Sequence, residues 1–379
     1  MKRGIYCVCS LFVLCCGMDE QRKDIIDIER RRARGAVSNP TGRFDMAREE
    51  VNDGWEIAEE RTHFQTQVSE EMARSLITYN KSPDLPFDRS INPYRGCEHG
   101  CVYCFARPTH SYLGYSPGLD FETRLIARPN APEVLEAELR KRSYKVAPIA
   151  IGTNTDPYQP IEKQHKIMRR CLEVLQRFHH PVAIVTKGTL IERDIDILGQ
   201  MAAQGLVKVG VSVTTLDAHV ARVMEPRVPT PKRRLATIAR LSGAGIPVRI
   251  MLGPVVPALT DHEAEALLEA GAAHGAEAAS WIMLRLPLEV SELFQEWAQV
   301  HFPDRAARIL ARVREMHGGK LYEAQWGKRM RGEGPYAKMI AQRIEVAMKR
   351  HGLRRYTPDL RCDLFRVPSK IGDQLSLFG

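Results

Sequence analysis

Three cysteines with the spacing C-x3-C-x2-C, at Cys97, Cys101 and Cys104, constrain this chain more than any other feature of its sequence. Gly96 and Gly100 accompany them, and glycine is typical of a tight loop. Three thiolates this close together can each bind one iron of a cubane [4Fe–4S] cluster. No fourth cysteine lies nearby. One iron is therefore left open for a small chelating ligand, such as the methionine end of S-adenosylmethionine.

A structural zinc site is the alternative interpretation of the same loop. Tetrahedral zinc takes four ligands, and His99 lies within the loop as a possible fourth. Zinc sites usually combine two spaced pairs of ligands, however, and the chain contains no second C-x2-C pair. The pattern therefore favours the iron–sulfur cluster.

The remaining cysteines do not form a disulfide framework. Of the nine cysteines, four lie within residues 1–17. Cys171 falls on the apolar face of a predicted helix and is interpreted as a core residue. Cys362 lies in an irregular tail, where the alternative role of a hydrogen donor that folds back over the barrel is left open. Clustered, unpaired cysteines are typical of a reducing compartment, so we expect a cytoplasmic protein.

The first 17 residues resemble a short signal peptide, because Lys2 and Arg3 precede an apolar run. No small-x-small cleavage site follows, and a polar stretch begins at Met18. We interpret residues 1–17 as a mis-annotated start, with translation beginning at Met18; an export or lipid-anchor signal is the alternative. After residue 20 no run of about 18 apolar residues occurs, so no membrane span is predicted.

Short apolar runs alternate with longer helical patterns along the middle of the chain. The predicted strands are Ser90–Pro93, Ile149–Thr153, Val182–Thr186, Val207–Val213, Val248–Leu252 and Trp281–Leu286. The predicted helices are 131–143, 161–178, 191–204, 231–243 and 261–274. This alternation predicts an α/β fold with parallel strands, a partial (β/α)6 barrel. A flat doubly wound sheet is the alternative, weakened because no G-x-G-x-x-G follows the first strand.

The composition of the flanking segments sets the predicted domain boundaries. Residues 18–82 form a polar, basic N-terminal arm that we expect to be largely solvated. The barrel is predicted over residues 83–300, a helical basic extension over 301–356, and an irregular tail over 357–379.

Residues 92–104 resemble the corresponding loop of the radical S-adenosylmethionine (radical SAM) superfamily. The string Asn-Pro-Tyr-x-Gly-Cys-x-His-x-Cys-x-Tyr-Cys is most similar to the branch that contains spore photoproduct lyase and proteins described as DNA repair photolyase-like. Residues 152–160 and 285–290 also resemble that group, so the likeness covers nearly the whole chain from about Arg32. The resemblance implies a radical SAM barrel, a [4Fe–4S] cluster, S-adenosylmethionine and a 5′-deoxyadenosyl radical.

One departure from that branch concerns its hydrogen donor. Spore photoproduct lyases are expected to carry a cysteine near the end of the second barrel strand. Residues 153–156 read Thr-Asn-Thr-Asp and contain no cysteine. Repair of the spore thymine dimer by the same radical relay is therefore not predicted.

Polar side chains near the ends of the predicted strands are candidates for binding the cofactor. We predict that Lys187 pairs with its carboxylate, that Ser212 or Asp156 holds its ribose hydroxyls, and that Asn154 contributes a polar contact. Tyr103 is predicted to pack near its adenine. Capping and loop hydrogen bonds are the alternative role for these residues. Further polar residues in these strands are Thr186, Thr214, Thr215, Arg249 and Arg285.

The formal charge of +9 and several basic runs suggest an anionic partner. The runs are 140–142, 232–234, 328–331 and 354–355. They predict a phosphate-binding surface, with Trp326 and Tyr336 able to stack on bases. Ordinary solvated helix faces are the alternative.

The last residues, Gln374–Phe378, resemble the pentapeptide with which bacterial proteins bind the replication sliding clamp. Spaced leucines and a Leu-Phe pair on a flexible tail are typical of a linear binding peptide. The alternative is a tail that packs on its own barrel.

Taken together, these features predict a radical SAM enzyme of the lyase or modification type that acts on nucleic acid, preferably DNA, in repair or base modification. Such an enzyme needs an electron donor such as a flavodoxin or ferredoxin. Two alternatives remain open: the same chemistry on a protein, tRNA or metabolite, and a non-catalytic iron–sulfur or zinc adaptor that binds the clamp.

Overall fold

A computed structural model describes residues 25–27, 30–31, 33–40, 42–44 and 64–369. Residues 1–17 and the terminal peptide 374–378 lie outside the described residues. The interpretations of the start and of the clamp-binding peptide therefore stay predictions.

Ten strands and eleven α-helices make up the described part of the chain. The strands are β1 Gln67–Glu70, β2 Thr78–Tyr79, β3 Arg89–Ile91, β4 Tyr94–Arg95, β5 Arg124–Ala127, β6 Ile149–Ile151, β7 Val182–Thr186, β8 Val207–Ser212, β9 Val248–Val255 and β10 Ala278–Met283. The helices are α1 Asp120–Thr123, α2 Ala131–Leu139, α3 Glu162–His165, α4 Ile167–Arg177, α5 Ile195–Ala203, α6 Ala218–Met224, α7 Pro231–Gly243, α8 Ala264–Ala273, α9 Val290–His301, α10 Pro303–Met316 and α11 Gly334–Arg350. Short 3₁₀ helices span Arg107–Leu113, Thr189–Asp194 and Asp261–Glu263.

Six parallel strands form the main sheet, in the order β3, β6, β7, β8, β9 and β10, with β2 antiparallel at the β3 edge. Each parallel strand pairs with the next one along the chain, so the strand order never reverses. A doubly wound sheet reverses its order at a switch point. The structure therefore confirms the predicted α/β fold of radical SAM type.

The apolar residues of these strands face the helices and form one large core. Val209, Val211, Ile250 and Leu252 are buried there, together with Leu241 of α7. In β9 buried and half-buried positions alternate from Val248 to Leu252, as expected for a strand that helices cover on one face. None of the helices in the described ranges is long and apolar enough to cross a membrane.

A second core fixes the helical extension to the carboxyl end of the barrel. Trp297 of α9 is fully buried, and its indole N–H donates to the Val223 carbonyl at 2.9 Å. Val102 of the cysteine loop and Phe294 belong to the same cluster. The extension thus helps to hold the loop that carries the cysteines.

A small three-stranded sheet, β1-β5-β4, was not predicted from the sequence. β1 runs parallel to β5, and β4 runs antiparallel to it. β4 leads directly into Cys97, so this sheet fixes the entry to the cysteine loop.

Part of the N-terminal arm is buried, contrary to the prediction of a solvated segment. Ala36 and Val37 are fully buried. The Arg34 guanidinium donates to the Glu122 carbonyl at 3.0 Å and to the Phe64 carbonyl at 2.9 Å. The prediction is therefore wrong for residues 33–38, because short apolar residues within a basic run pack against the barrel.

The tail after α11 crosses the amino end of the barrel. The Arg361 N–H donates to the Gly205 carbonyl before β8, and the Phe365 ring stacks on Phe178 before β7. Cys362 lies between these contacts, at the end of the barrel opposite the cysteine loop, so the hydrogen-donor alternative for it is wrong. Residues 361–368 pack on the amino end of the barrel, whereas the alternative that the terminal peptide also packs there concerns residues outside the described ranges and stays a prediction.

Arg249 also lies at the amino end of the barrel. It is the second residue of β9, and its guanidinium is 3.4 Å from the Thr357 hydroxyl of the tail. Arg249 is therefore not a residue of the site at the carboxyl end of the barrel. The sequence pattern predicted the strand, but not that the arginine lies at its amino end.

Candidate active site at the cysteine loop

The cysteine loop lies across the carboxyl end of the barrel, between β4 and the 3₁₀ helix Arg107–Leu113. Backbone hydrogen bonds hold both sides of it: the Cys97 N–H donates to the Phe121 carbonyl at 2.9 Å, and the Val102 N–H donates to the Met224 carbonyl at 3.1 Å. Cys97 and Cys101 are buried and Cys104 is half-buried. The loop thus presents three cysteines from a fixed backbone.

Arg107 is the main internal support of this loop. The fully buried guanidinium donates to the carbonyls of Cys101 at 3.0 Å, Gly100 at 3.1 Å and Gly118 at 2.8 Å. It also pairs with the Glu122 carboxylate at 2.6 Å, and both side chains are fully buried. A buried charge needs this degree of pairing to be stable.

Glu122 extends that support to the N-terminal arm. Its carboxylate accepts the backbone N–H groups of Gly35 and Ala36, both at 2.9 Å. Gly100 has φ +66°, and a Cβ there would lie 2.6 Å from a Glu122 carboxylate oxygen. Only glycine fits this close approach of the loop to the carboxylate.

The three loop thiols have the donor chemistry that an iron–sulfur cluster needs. All three are free of disulfides. In the described residues, no three His, Cys, Asp or Glu side chains converge as the ligands of a single metal ion do, so the assignment rests on the thiols themselves. Burial raises the pKa of Cys101 to about 12, with a smaller lowering effect of Lys187. Such a thiol is protonated at neutral pH and becomes a ligand when a metal displaces its proton.

Asp156 joins three parts of the site. Its carboxylate accepts the Thr186 hydroxyl at 2.6 Å and the Lys187 backbone N–H at 2.7 Å, and lies 3.3 Å from Nδ1 of His99 in the cysteine loop. Burial raises the pKa of Asp156, but the imidazole and these donors outweigh burial and lower it to about 2. Both oxygens are thus engaged within the protein. Asp156 positions the cysteine loop and the end of β7. Neither of its carboxylate oxygens is left free for the predicted contact with ribose hydroxyls.

Lys187 follows β7 directly and faces the cysteines. Its ammonium lies 5.8 Å from the centre of the Tyr103 ring. Burial lowers the pKa of Lys187, but Cys101, Glu225 and Asp156 more than compensate, so the pKa is raised. Lys187 is therefore a cation at neutral pH, beside the thiols, as its predicted role requires.

Glu225 and Arg234 form a buried ion pair next to Tyr103 that the sequence analysis missed. The two side chains are 2.7 Å apart and at most 1% exposed. The Tyr103 hydroxyl donates to Glu225, and Arg234 also donates to the Ser212 carbonyl at 2.9 Å. The ion pair therefore connects the cysteine loop to the end of β8. The only sequence signal was a lone glutamate after an amphipathic helix, which is usually exposed.

The other two predicted cofactor-binding residues also lie at the carboxyl end of the sheet. Ser212 is the last residue of β8 and is 4% exposed. Asn154 is half-buried, and its backbone N–H donates to the Asn92 side chain at 3.1 Å. The structure therefore brings Tyr103, Asn154, Lys187 and Ser212 to the end of the barrel that carries the cysteines.

Arg285 completes this end of the barrel from the side of β10. Its guanidinium lies over the Phe105 ring, 4.3 Å from the ring centre. It interacts electrostatically with Cys104, and burial lowers its pKa.

The basic runs identified in the sequence are largely neutralised. Pairs include Arg140–Glu136, Arg233–Glu192, Arg234–Glu225, Arg329–Asp84, Lys328–Glu333, Arg354–Glu277 and Arg355–Glu345. Tyr336 donates its hydroxyl to Asp261, and only Trp326 of the two predicted stacking residues is mostly exposed. Lys141, Arg142 and Lys232 of these runs are exposed and form no ion pair with any described residue. The phosphate-binding surface therefore stays a prediction.

Comparison with known proteins agrees with this geometry. Residues 91–270 match the model of the radical SAM superfamily. An uncharacterised protein of Mycobacterium tuberculosis is 39% identical over 243 residues, which cover 63% of this chain and 70% of that protein. An uncharacterised protein of Methanocaldococcus jannaschii is 26% identical over 191 residues, covering 50% and 68% of the two chains.

Among solved structures, spore photoproduct lyase has the same fold. The complex of that enzyme with dinucleoside spore photoproduct matches with a TM-score of 0.54 at 15% identity, over 76% of this chain and 81% of the lyase. A double mutant of the lyase with bound AdoMet and dinucleoside spore photoproduct matches with a TM-score of 0.55 over the same shares, also at 15% identity.

Proposed function

This chain belongs to the radical SAM superfamily, and we propose that it acts on a nucleic acid, preferably DNA, in repair or base modification. The family uses a [4Fe–4S] cluster and S-adenosylmethionine. When bound, they supply one-electron cleavage of the sulfonium and a 5′-deoxyadenosyl radical that takes a hydrogen atom from the substrate.

The residues at the carboxyl end of the barrel fit these two cofactors. Cys97, Cys101 and Cys104 hold the cluster by three thiolates. Lys187 is the cation beside them, and it would pair with the carboxylate of S-adenosylmethionine. Ser212 and Asn154 supply polar groups for the nucleoside part.

One observation supports the choice of nucleic acid as substrate: the lyase that shares this fold was solved with a dinucleoside bound. Many basic residues of the runs pair with carboxylates, but Lys141, Arg142 and Lys232 are exposed and form no ion pair with any described residue, so they are available to contact phosphates. A tRNA, a protein segment or a metabolite is the second candidate.

The reaction is expected to differ from that of the lyase. Within the described residues, the cysteines outside the loop are Cys171, fully buried in α4, and Cys362, at the opposite end of the barrel. Neither reaches the site. We therefore propose that neither of these two cysteines is the hydrogen donor of the reaction.

Two protein partners belong to the proposal. A flavodoxin or ferredoxin would deliver the electron. The peptide Gln374–Phe378 would bind the sliding clamp. The Arg140 guanidinium donates to the Pro368 carbonyl at 2.7 Å, and this last hydrogen bond of the described tail lies at the amino end of the barrel. A clamp bound there would leave the cysteine loop free.

Substrate class is tested by product analysis under anaerobic, reducing conditions. The protein is incubated with S-adenosylmethionine and either ultraviolet-irradiated DNA, intact DNA or tRNA. We expect formation of 5′-deoxyadenosine to increase with DNA, and nuclease digests of that DNA to contain a nucleoside of changed mass. Stimulation by tRNA alone would contradict the preference for DNA.

Replacing Lys187 by alanine should weaken binding of S-adenosylmethionine about ten- to a hundredfold, because a charge-assisted contact to the carboxylate is lost. Calorimetric titration of the cluster-loaded protein measures the change. Lys163→Ala is the matched control, since Lys163 is exposed on α3. Equal affinities of the two variants would assign Lys187 a structural role.

A further inference from the structure

We propose that Arg285 binds a phosphate group of the substrate at the edge of the site, with Phe105 as the platform that holds its guanidinium. This inference rests on the proposed function and adds the residue that recognises the nucleic acid. It concerns a single phosphate contact at the edge of the site, separate from the basic runs.

The backbone around Arg285 is rigid and points the side chain towards the cysteine loop. Leu284 and Leu286, on either side of it, are buried, and the Leu284 N–H donates to the Val255 carbonyl at 3.0 Å. Neighbours buried on both sides fix the direction of the arginine between them. The side chain reaches Phe105, the residue directly after Cys104, at 4.3 Å.

Arg285 lacks the carboxylate partner that the two fully buried arginines at this end of the barrel have. Arg107 and Arg234 are each paired with a carboxylate, at 2.6 and 2.7 Å. Arg285 forms no hydrogen bond or ion pair with any residue in the described ranges, and its Nε is buried without a partner. The side chain is half-buried, and a charged group with a buried N–H that has no partner is costly, so a ligand that supplies the anion is expected.

The nearest carboxylate is already committed elsewhere. Asp84 interacts with Arg285 through space, but both of its oxygens are bound by Arg329, at 2.6 and 2.8 Å. The other groups that interact electrostatically with Arg285 are Tyr322, Arg329 and Cys104. Asp84 therefore pairs with Arg329, and the Arg285 guanidinium remains available to bind an anion.

The chemistry of the guanidinium favours phosphate. Stacking on an aromatic ring occupies the face of the group and leaves its N–H edge free for two parallel hydrogen bonds to one anion. Phe105 is 42% exposed, so the pair lies at the edge of the site, where a substrate enters. The carboxylate of S-adenosylmethionine is the other anion near the site, and the experiment separates the two.

The test measures binding of decathymidylate to the cluster-loaded protein by fluorescence anisotropy at several salt concentrations. Arg285→Gln should weaken binding at least about tenfold and reduce the slope of log affinity against log salt by about 0.7, the value for one phosphate contact on a single strand. Arg285→Lys keeps the charge and the apolar stem, so its slope should stay near that of the wild type. Affinity for S-adenosylmethionine should be unchanged in both variants.

Arg308→Gln is the matched control, since it removes the same charge from the exposed face of α10. Equal affinities of Arg285→Gln and Arg308→Gln for the oligonucleotide would overturn the inference. Loss of S-adenosylmethionine affinity in Arg285→Gln, with oligonucleotide binding intact, would overturn it in favour of the cofactor carboxylate. If the wild type itself binds neither decathymidylate nor other DNA, the nucleic-acid function fails, and the inference with it.

Discussion

Replacing Cys101 by alanine is expected to abolish cluster assembly, reducing iron from about four atoms per chain to nearly none after anaerobic reconstitution. The loop offers three thiolates, and each anchors a different iron. With one removed, two protein ligands remain for the whole cluster, and no described residue is placed to substitute. Cys97→Ala and Cys104→Ala should behave alike. Iron and sulfide analysis, with the brown colour of the protein, measures the result.

Cys171→Ala and Cys362→Ala are the matched controls for this experiment. Cys171 is buried in α4 and Cys362 lies in the tail, so both changes remove a thiol far from the loop. Each variant should still assemble the cluster. A colourless wild-type protein that holds one zinc ion per chain would show that the loop is a zinc site.

Replacing Arg107 by methionine should lower the free energy of unfolding by about 3–5 kcal/mol, because it leaves the Glu122 carboxylate buried without its cation. The change also removes the donors to the Gly100 and Cys101 carbonyls. We therefore expect the cysteine loop to lose its fixed backbone and the cluster to assemble poorly. Urea unfolding under anaerobic conditions measures the stability. The slope of the unfolding free energy against urea concentration is compared between variants.

Arg343→Met is the control for that prediction. Arg343 pairs with Glu265 on the outer helices, and about a third of each side chain is exposed. Exposed pairs contribute at most about 1 kcal/mol, so this change should have a small effect. If Arg107→Met costs no more than Arg343→Met, the buried pair does not support the loop as described.

The parallel sheet could be predicted from the sequence because its signal is local. The inner strands are short runs rich in Val and Ile, and β7 has the bounds predicted for it. β3 and β10 are poorer in these residues, and each begins before its predicted start, at Arg89 and Ala278. The β1-β5-β4 sheet gave no such signal. Its strands have at most four residues, β1 is largely exposed, and β1 and β5 pair across 57 residues of sequence. Pairing of that kind depends on tertiary structure rather than on local pattern.

The three cysteines could be predicted as ligands from their spacing in the sequence, and Lys187 could be predicted because it directly follows a predicted strand. The charge pairs could not, because the partners are far apart in sequence. Arg329 and Asp84 are 245 residues apart, and they pair only when the extension folds beside the barrel. For the same reason the sequence showed basic runs where the structure has ion pairs, and it gave no sign that Arg285 lacks one.

The cysteine loop is proposed to hold a cluster that cleaves S-adenosylmethionine. The most direct measurement is the formation of 5′-deoxyadenosine by anaerobic, chemically reduced protein, followed by liquid chromatography with mass detection. We expect 5′-deoxyadenosine and methionine in equal amounts from the wild type and none from Cys101→Ala. A wild-type protein that carries its full iron and still forms no more 5′-deoxyadenosine than Cys101→Ala would contradict this proposal.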